Sequence, residues 1–249
     1  MIYTTLQSRC FLGTNHKLSP NFFFFVLLVF GILRFFVIRF SYVTQTSYLL
    51  PPLFILMLLF PFMILDQKSR IQLWITSKTK KSFLWIGFLL GLVMALLVGL
   101  IGEALFGQQI SNWYVYIRES YRIDTVQNQG YLLVFTLSAC ISMIFSPLGE
   151  EIFFRGFVHQ GLRMRFSQRF ATILDCTAFA LIHLCHFGII YQLGHWTFLP
   201  IPSVLWVLLM FLTAMLFSFA RNKSNSLWGA VLSHAGFNLG MTTYIFFLI

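Results

Sequence analysis

Acid is scarce in this chain. Seven Asp and Glu stand against 17 Lys and Arg in 249 residues, and charged side chains of every kind make up only 10%. The remainder is 58% hydrophobic with a mean hydropathy of +0.81, more apolar surface than a soluble core of this length can hide, which excludes a soluble globular domain. Cysteine is scarce too. Cys10, Cys140, Cys176 and Cys185 show no C-x-x-C spacing, and three of them fall in apolar stretches, where a lone thiol behaves as a small hydrophobe; no disulfide framework is implied. The chain has no internal repeat, no low-complexity run and no Gly/Ser linker, so one helical membrane domain over 1–249 is expected. Residues 1–20 contain no short apolar core followed by a small-residue cleavage site, so no removable signal peptide is expected and the first span directs insertion.

What the chain does have is Phe, 31 of them, and long apolar runs. A membrane-crossing helix needs about 20 apolar residues. Seven candidates fit: 21–38, 49–65, 83–106, 130–148, 171–193, 202–220 and 226–248. Arg34 weakens the first of these, and Pro51, Pro52 and Pro61 weaken the second. The fold class expected is all-α, a polytopic membrane bundle of about seven transmembrane helices. With the N-terminus in the cytoplasm and the C-terminus outside, the inner segments hold Arg9, Lys17, Lys68, Arg70, Lys78, Lys80, Lys81, Arg155, Arg163, Arg165, Arg169, Arg221 and Lys223, against Arg39, Arg118 and Arg122 outside. One false or missed span would reverse every later loop, so this bias supports both count and orientation. Basic residues placed between spans rather than on one polar face are orientation signals, and no nucleic-acid partner is expected despite the net charge of +10. The stretch 151–169 reads as an amphipathic helix on the membrane surface whose arginines meet lipid headgroups, and 107–129 as a connection partly in the interface.

Ionisable groups at membrane depth are costly unless paired or hydrated, and each is a functional candidate. The candidates are Glu103; Glu150, Glu151 and Arg155 in "SPLGEEIFFRGF"; His183 with His186; and His234 with Asn238. Glu151 and Arg155 are four apart in the orientation that favours an ion pair on one helical face. Neighbouring residues diverge by about 100°, so Glu150 cannot share that face and is expected to be free as a general base. His183 lies about twelve residues into the fifth span and His234 about eight into the seventh, which puts both about 12 to 18 Å deep by helical rise. With some tilt, or a break near Pro147, these groups converge in one cavity opening toward the cytoplasm. His234 and Asn238, four apart, can together donate to a developing oxyanion. A carboxylate and an imidazole for water, with two polar donors opposite, make a hydrolytic set.

At these residues the chain resembles the CAAX prenyl protease and bacteriocin-processing (Abi) membrane protease family. The motif E-E-x-x-x-R stands as Glu150-Glu151-Ile-Phe-Phe-Arg155, F-x-x-x-H as Phe179-Ala-Leu-Ile-His183, and H-x-x-x-N as His234-Ala-Gly-Phe-Asn238, over about residues 146 to 240. The resemblance implies an intramembrane endopeptidase of a bacterial inner membrane, cutting a membrane-associated peptide or protein near the cytoplasmic face. Glu150 would be the base, His183 would help hold the water, His234 and Asn238 would form the oxyanion site, and Glu151, Arg155 and Phe179 would support them. No cofactor is expected. Two His and a Glu could ligate zinc with an open position, but H-E-x-x-H is absent, and the metal-free mechanism is favoured.

Plainer roles stand beside these. Glu151 and Arg155 also suit a helix-end ion pair, His186 a hydrogen-bonded buried histidine, His159 and His195 surface positions, Glu103 an interfacial acid, and the Phe tracts lipid contact or packing. Two other functions share the residues: a proton-coupled transporter, against which no inverted repeat is found, and a non-catalytic scaffold or immunity protein of the same fold.

Overall fold

The computed structural model describes residues 6, 17–44, 46, 49–74, 79–120 and 128–249. Arg9, Cys10, Lys78 and Arg122 lie outside the described residues. The fold is an all-α membrane helical bundle. Its helices are α1 (Pro20–Thr44), α2 (Leu50–Ile64), α3 (Gln67–Trp74), α4 (Lys81–Phe106), α5 (Trp113–Ser120), α6 (Asn128–Glu151), α7 (His159–Arg163), α8 (Gln168–Ile182), α9 (Pro200–Ser224) and α10 (Leu227–Phe247). Among the described residues, α1, α4, α9 and the run Gly130–Arg163 are long and apolar enough to cross a membrane, and α2 is a shorter apolar helix. Each of the seven expected spans overlaps a helix, the fifth only in part.

Three expectations change. The fifth span ends early: α8 stops at Ile182, a 3₁₀ turn covers His183–Cys185, and a two-stranded antiparallel hairpin follows, β1 (Ile189–Gln192) pairing β2 (His195–Phe198) with Gln192 opposite His195. Its two-residue turn, Leu193-Gly194, has positive φ at both positions (51° and 81°), the twist that tight hairpins need. The stretch after Glu151 is no surface helix. It widens into a π-helix, Ile152–Val158, in which every residue is buried. Phe153 packs on Phe30 (4.6 Å between ring centroids), Phe157 on Phe23 (4.9 Å) and Phe154 on Phe179 (5.4 Å). Aromatic packing on α1 and α8 therefore claims this segment before lipid can. Similarly, α5 folds back into the protein instead of lying in the interface. Trp113 is fully buried and its Nε1 donates to the Val98 carbonyl (3.1 Å), while the Tyr114 hydroxyl donates to Ala95 (3.0 Å).

Close backbone contact sets the position of α10. A Cβ added at Gly91 would sit 1.8 Å from the Ser233 carbonyl oxygen, and one at Gly236 would sit 2.0 Å from that of Phe88. Small residues on both helices let α4 and α10 approach to backbone distance, the usual way to gain packing energy where lipid offers no hydrophobic drive.

The helices alternate in direction, giving the bundle two ends. At one, Lys80 N donates to Ser224 O (2.8 Å), and Phe24 meets Phe166 (6.4 Å). At the other, Arg39 Nη1 donates to Ile189 O (2.6 Å), Tyr191 N to the Tyr116 hydroxyl (2.9 Å) and Arg118 Nη1 to Ile249 O (2.6 Å).

Candidate functional site

A cavity of about 720 Å³ runs through the bundle, lined among others by Glu150, Phe179, His183, His234 and Asn238. The adjacent carboxylates take opposite directions, as their helical divergence requires. Glu151 turns inward, fully buried, where Oε2 lies 3.2 Å from Arg155 Nε and Oε1 accepts from His234 Nδ1 at 2.8 Å. Asp175 Oδ2 stands 3.8 Å from Arg155 Nε and 3.7 Å from His159 Nδ1, extending a buried charged group beneath the cavity. Arg155 and His159 thus lie in the interior, not at headgroups or on the surface. The Arg155 guanidinium also sits over the Phe179 ring, 4.3 Å from its centroid, which ties the second motif to the first.

Glu150 is not free. Arg34 Nη1 of α1 lies 3.1 Å from its Oε1, and the Ser146 hydroxyl donates to the same oxygen at 2.9 Å. The arginine that weakened the first span is the partner of the candidate base. Among the described residues, Oε2 has no hydrogen-bond partner although it is buried. A buried carboxylate oxygen without a partner is costly, and next to a cavity it is the place for water. Arg34 Nη2 donates in turn to His186 Nε2 (2.8 Å), so His186 both lines the cavity and is hydrogen-bonded.

The imidazoles are oriented from behind. His183 Nδ1 donates to the Phe179 carbonyl (2.7 Å), which leaves Nε2 as the acceptor of a neutral ring. His234, held by Glu151 and stacked on Phe217 (4.6 Å, 16°), brings Nε2 to 3.5 Å from the Ser146 hydroxyl. The Asn238 amide donates one hydrogen to the Ser142 carbonyl (2.8 Å) and keeps a second. Ser142 precedes Pro147, whose ring removes a ladder donor, yet α6 runs unbroken through it to Glu151; convergence needs no break there. Among the described residues, no three His, Cys, Asp or Glu are grouped as for a metal ion. Glu103 is exposed on α4 and accepts from the Tyr244 hydroxyl (2.5 Å), and His195 is exposed in β2.

Two features escaped the motif reading. Arg34 lies far from the motifs, and its signal was simply a charge in an apolar span, which demands a partner. The other is periodic: Ser138, Ser142, Ser146 and Glu150 on α6 are each four apart, as are His234, Asn238 and Thr242 on α10, and all seven line the cavity. The two stripes face each other, with Ser142 and Thr242 hydroxyls 3.5 Å apart. They also give the cavity its direction. The lining continues through Ser41, Tyr42, Thr46, Leu50, Ile117 and Ser120, toward the end opposite the basic loops. On the other side of Glu150, toward the basic loops, stands the buried layer of Glu151, Phe154 and Arg155.

A buried carboxylate and two oriented imidazoles line one hollow inside a helical membrane bundle. Residues 132–240 match the family model of the type II CAAX prenyl endopeptidases, Rce1-like. No curated protein and no solved structure matches the chain. The matched segment holds all seven motif residues and leaves out α1 and Arg34.

Proposed function

We propose that this protein is an intramembrane endopeptidase that hydrolyses a membrane-associated peptide or protein with a water activated by Glu150. The observation that carries this is Glu150 itself: Oε1 is held by Arg34 and Ser146, and Oε2 is left facing the cavity among His183, His234 and Asn238. A water at Oε2 gives its proton to the carboxylate as its oxygen attacks the scissile carbonyl carbon, with His183 Nε2 accepting its other hydrogen. The oxyanion then receives hydrogen bonds from the second Asn238 amide hydrogen and from His234 Nε2. For Nε2 to donate while Nδ1 donates to Glu151, the His234 ring acts as a cation balanced by that carboxylate. Glu150 next passes the proton to the departing amine as the C–N bond breaks, and the carboxylate is regenerated.

Glu151 and Arg155 are positioning residues in this scheme, since they act through His234 and not on substrate. The steps use no metal. The chain sits in a bacterial cytoplasmic membrane with its N-terminus inside, which the distribution of basic residues supports. Purified protein in detergent, incubated with a panel of lipidated and unlipidated peptides, tests the function. Cleavage that survives a chelator and is lost in Glu150→Ala and His234→Ala is expected. Loss to the chelator that zinc specifically reverses would overturn the metal-free scheme, and cleavage by Glu150→Ala would overturn the role of Glu150.

A further inference from the structure

We propose that Asp175 is a further positioning residue of the site: it competes with Glu151 for Arg155, and so leaves Glu151 Oε1 to His234. Asp175 belongs to none of the three motifs. It is one of only seven acidic residues in the chain, and it stands on α8 with 0% of its surface exposed. A carboxylate buried that deeply inside a membrane bundle needs a cation or a hydrogen-bond donor beside it. Among the described residues, neither of its oxygens has a hydrogen-bond partner. The groups that face it are Arg155 Nε of the π-helix, 3.8 Å from Oδ2, and His159 Nδ1 of α7, 3.7 Å from the same oxygen, while Arg221 of α9 acts on it electrostatically.

The way Arg155 is held shows the consequence. A guanidinium free to choose grips a carboxylate with two parallel N–H···O bonds, one to each oxygen. Arg155 does not grip Glu151 in that way. Its Nε lies 3.2 Å from Glu151 Oε2 and 3.8 Å from Asp175 Oδ2, its Nη2 donates to the Ala214 carbonyl (3.2 Å), and its Nη1 makes no hydrogen bond among the described residues. One cation is shared between two carboxylates, and Glu151 commits only one oxygen to it. The other, Oε1, accepts from His234 Nδ1 at 2.8 Å.

Without the pull of Asp175, Arg155 closes on Glu151, both oxygens are taken, and His234 loses the acceptor that orients its ring. The relay therefore runs from Asp175 through Arg155 and Glu151 to His234, whose ring lines the cavity. That His234 acts on an oxyanion rests on the endopeptidase function, but the competition for Arg155 does not.

NMR of the full chain in detergent, with the histidine ring nitrogens ¹⁵N-labelled, reads the His234 bond without any substrate. The signal is assigned by its loss in His234→Gln. In the wild type a hydrogen-bonded, downfield Nδ1–H is expected. Asp175→Asn keeps the shape and removes the charge, and should move that resonance upfield or lose it to exchange with water, in protein that still elutes as a folded species. Arg155→Lys combined with Asp175→Asn keeps a cation without the fork, because an ammonium is a point charge that cannot take both oxygens, and should retain the wild-type signal. This double variant decides alone where Asp175→Asn yields no folded protein. An unchanged His234 resonance in Asp175→Asn would overturn the proposal and leave Asp175 a structural ion-pair member, and so would loss of the resonance in the double variant. In the cleavage assay Asp175→Asn should lower kcat about 10- to 100-fold with KM nearly unchanged, less than the loss of a whole oxyanion donor. A chain that cleaves no peptide while His234 responds as expected would overturn the endopeptidase function and leave the hold of Asp175 on Arg155 standing.

Discussion

The two faces of α10 do different work with the same spacing. Toward α4 it presents Ser233, Gly236 and Gly240, which bring two backbones into contact. Toward α6 it presents His234, Asn238 and Thr242 across a wet cavity. The dry face fixes where the helix stands, to within what a methyl group would disturb. In the proposed hydrolysis the wet face uses that placement, because donors and acceptors must be held within a fraction of an ångström. Rigid packing on one side is what lets the other keep unpartnered polar atoms.

The largest effects break the wet face. Glu150→Gln keeps shape and removes the proton acceptor, so the cleavage rate falls by about 10³-fold or more while thermal unfolding in detergent changes little. Next comes the dry face. Gly91→Leu puts a side chain where Ser233 O stands, and no well-folded protein is expected by size-exclusion chromatography, with or without activity. Arg34 separates the two kinds of effect. Arg34→Met leaves Glu150 buried without its cation and should lower stability by about 3–5 kcal/mol. Arg34→Met combined with Glu150→Gln should recover most of that stability and none of the activity. Glu151→Gln weakens the hold on His234 and should lower kcat with KM nearly unchanged, whereas a purely structural role would lower the amount of folded enzyme and leave kcat alone. The smallest effect belongs to Ser138→Ala, at the end of the α6 stripe away from Glu150, which should raise KM by only a few-fold, in keeping with about 0.5–1.5 kcal/mol for one hydrogen bond.

Much of this was legible in the sequence, for reasons that differ by residue. All seven apolar runs overlap helices, and four segments among the described residues are long and apolar enough to cross a membrane, because length and hydropathy are read directly from the residues. The juxtaposition of the candidate residues is legible because spacing of four puts Glu151 with Arg155, and His234 with Asn238, on one face. The opposed directions of Glu150 and Glu151 follow from the same geometry, but that Glu150 is held by Arg34 does not, since nothing local links α1 to α6. The π-helix at Ile152–Val158 has no marker in its residue types, so a segment rich in Phe and Arg passed for an interfacial helix. The hairpin was hidden inside an apolar run, and only Gly188 and Gly194 hinted at it. The direction of the cavity was readable from the serines of α6, a pattern no motif includes.

Single-turnover cleavage in ¹⁸O-labelled water tests the central claim most directly, namely that a water at Glu150 Oε2 attacks the peptide carbonyl. With enzyme in excess over peptide, the first turnover should place one ¹⁸O in the newly formed carboxylate. An unlabelled carboxylate in that turnover, with the label appearing only in later ones, would mean that Glu150 itself attacks, and would contradict the account.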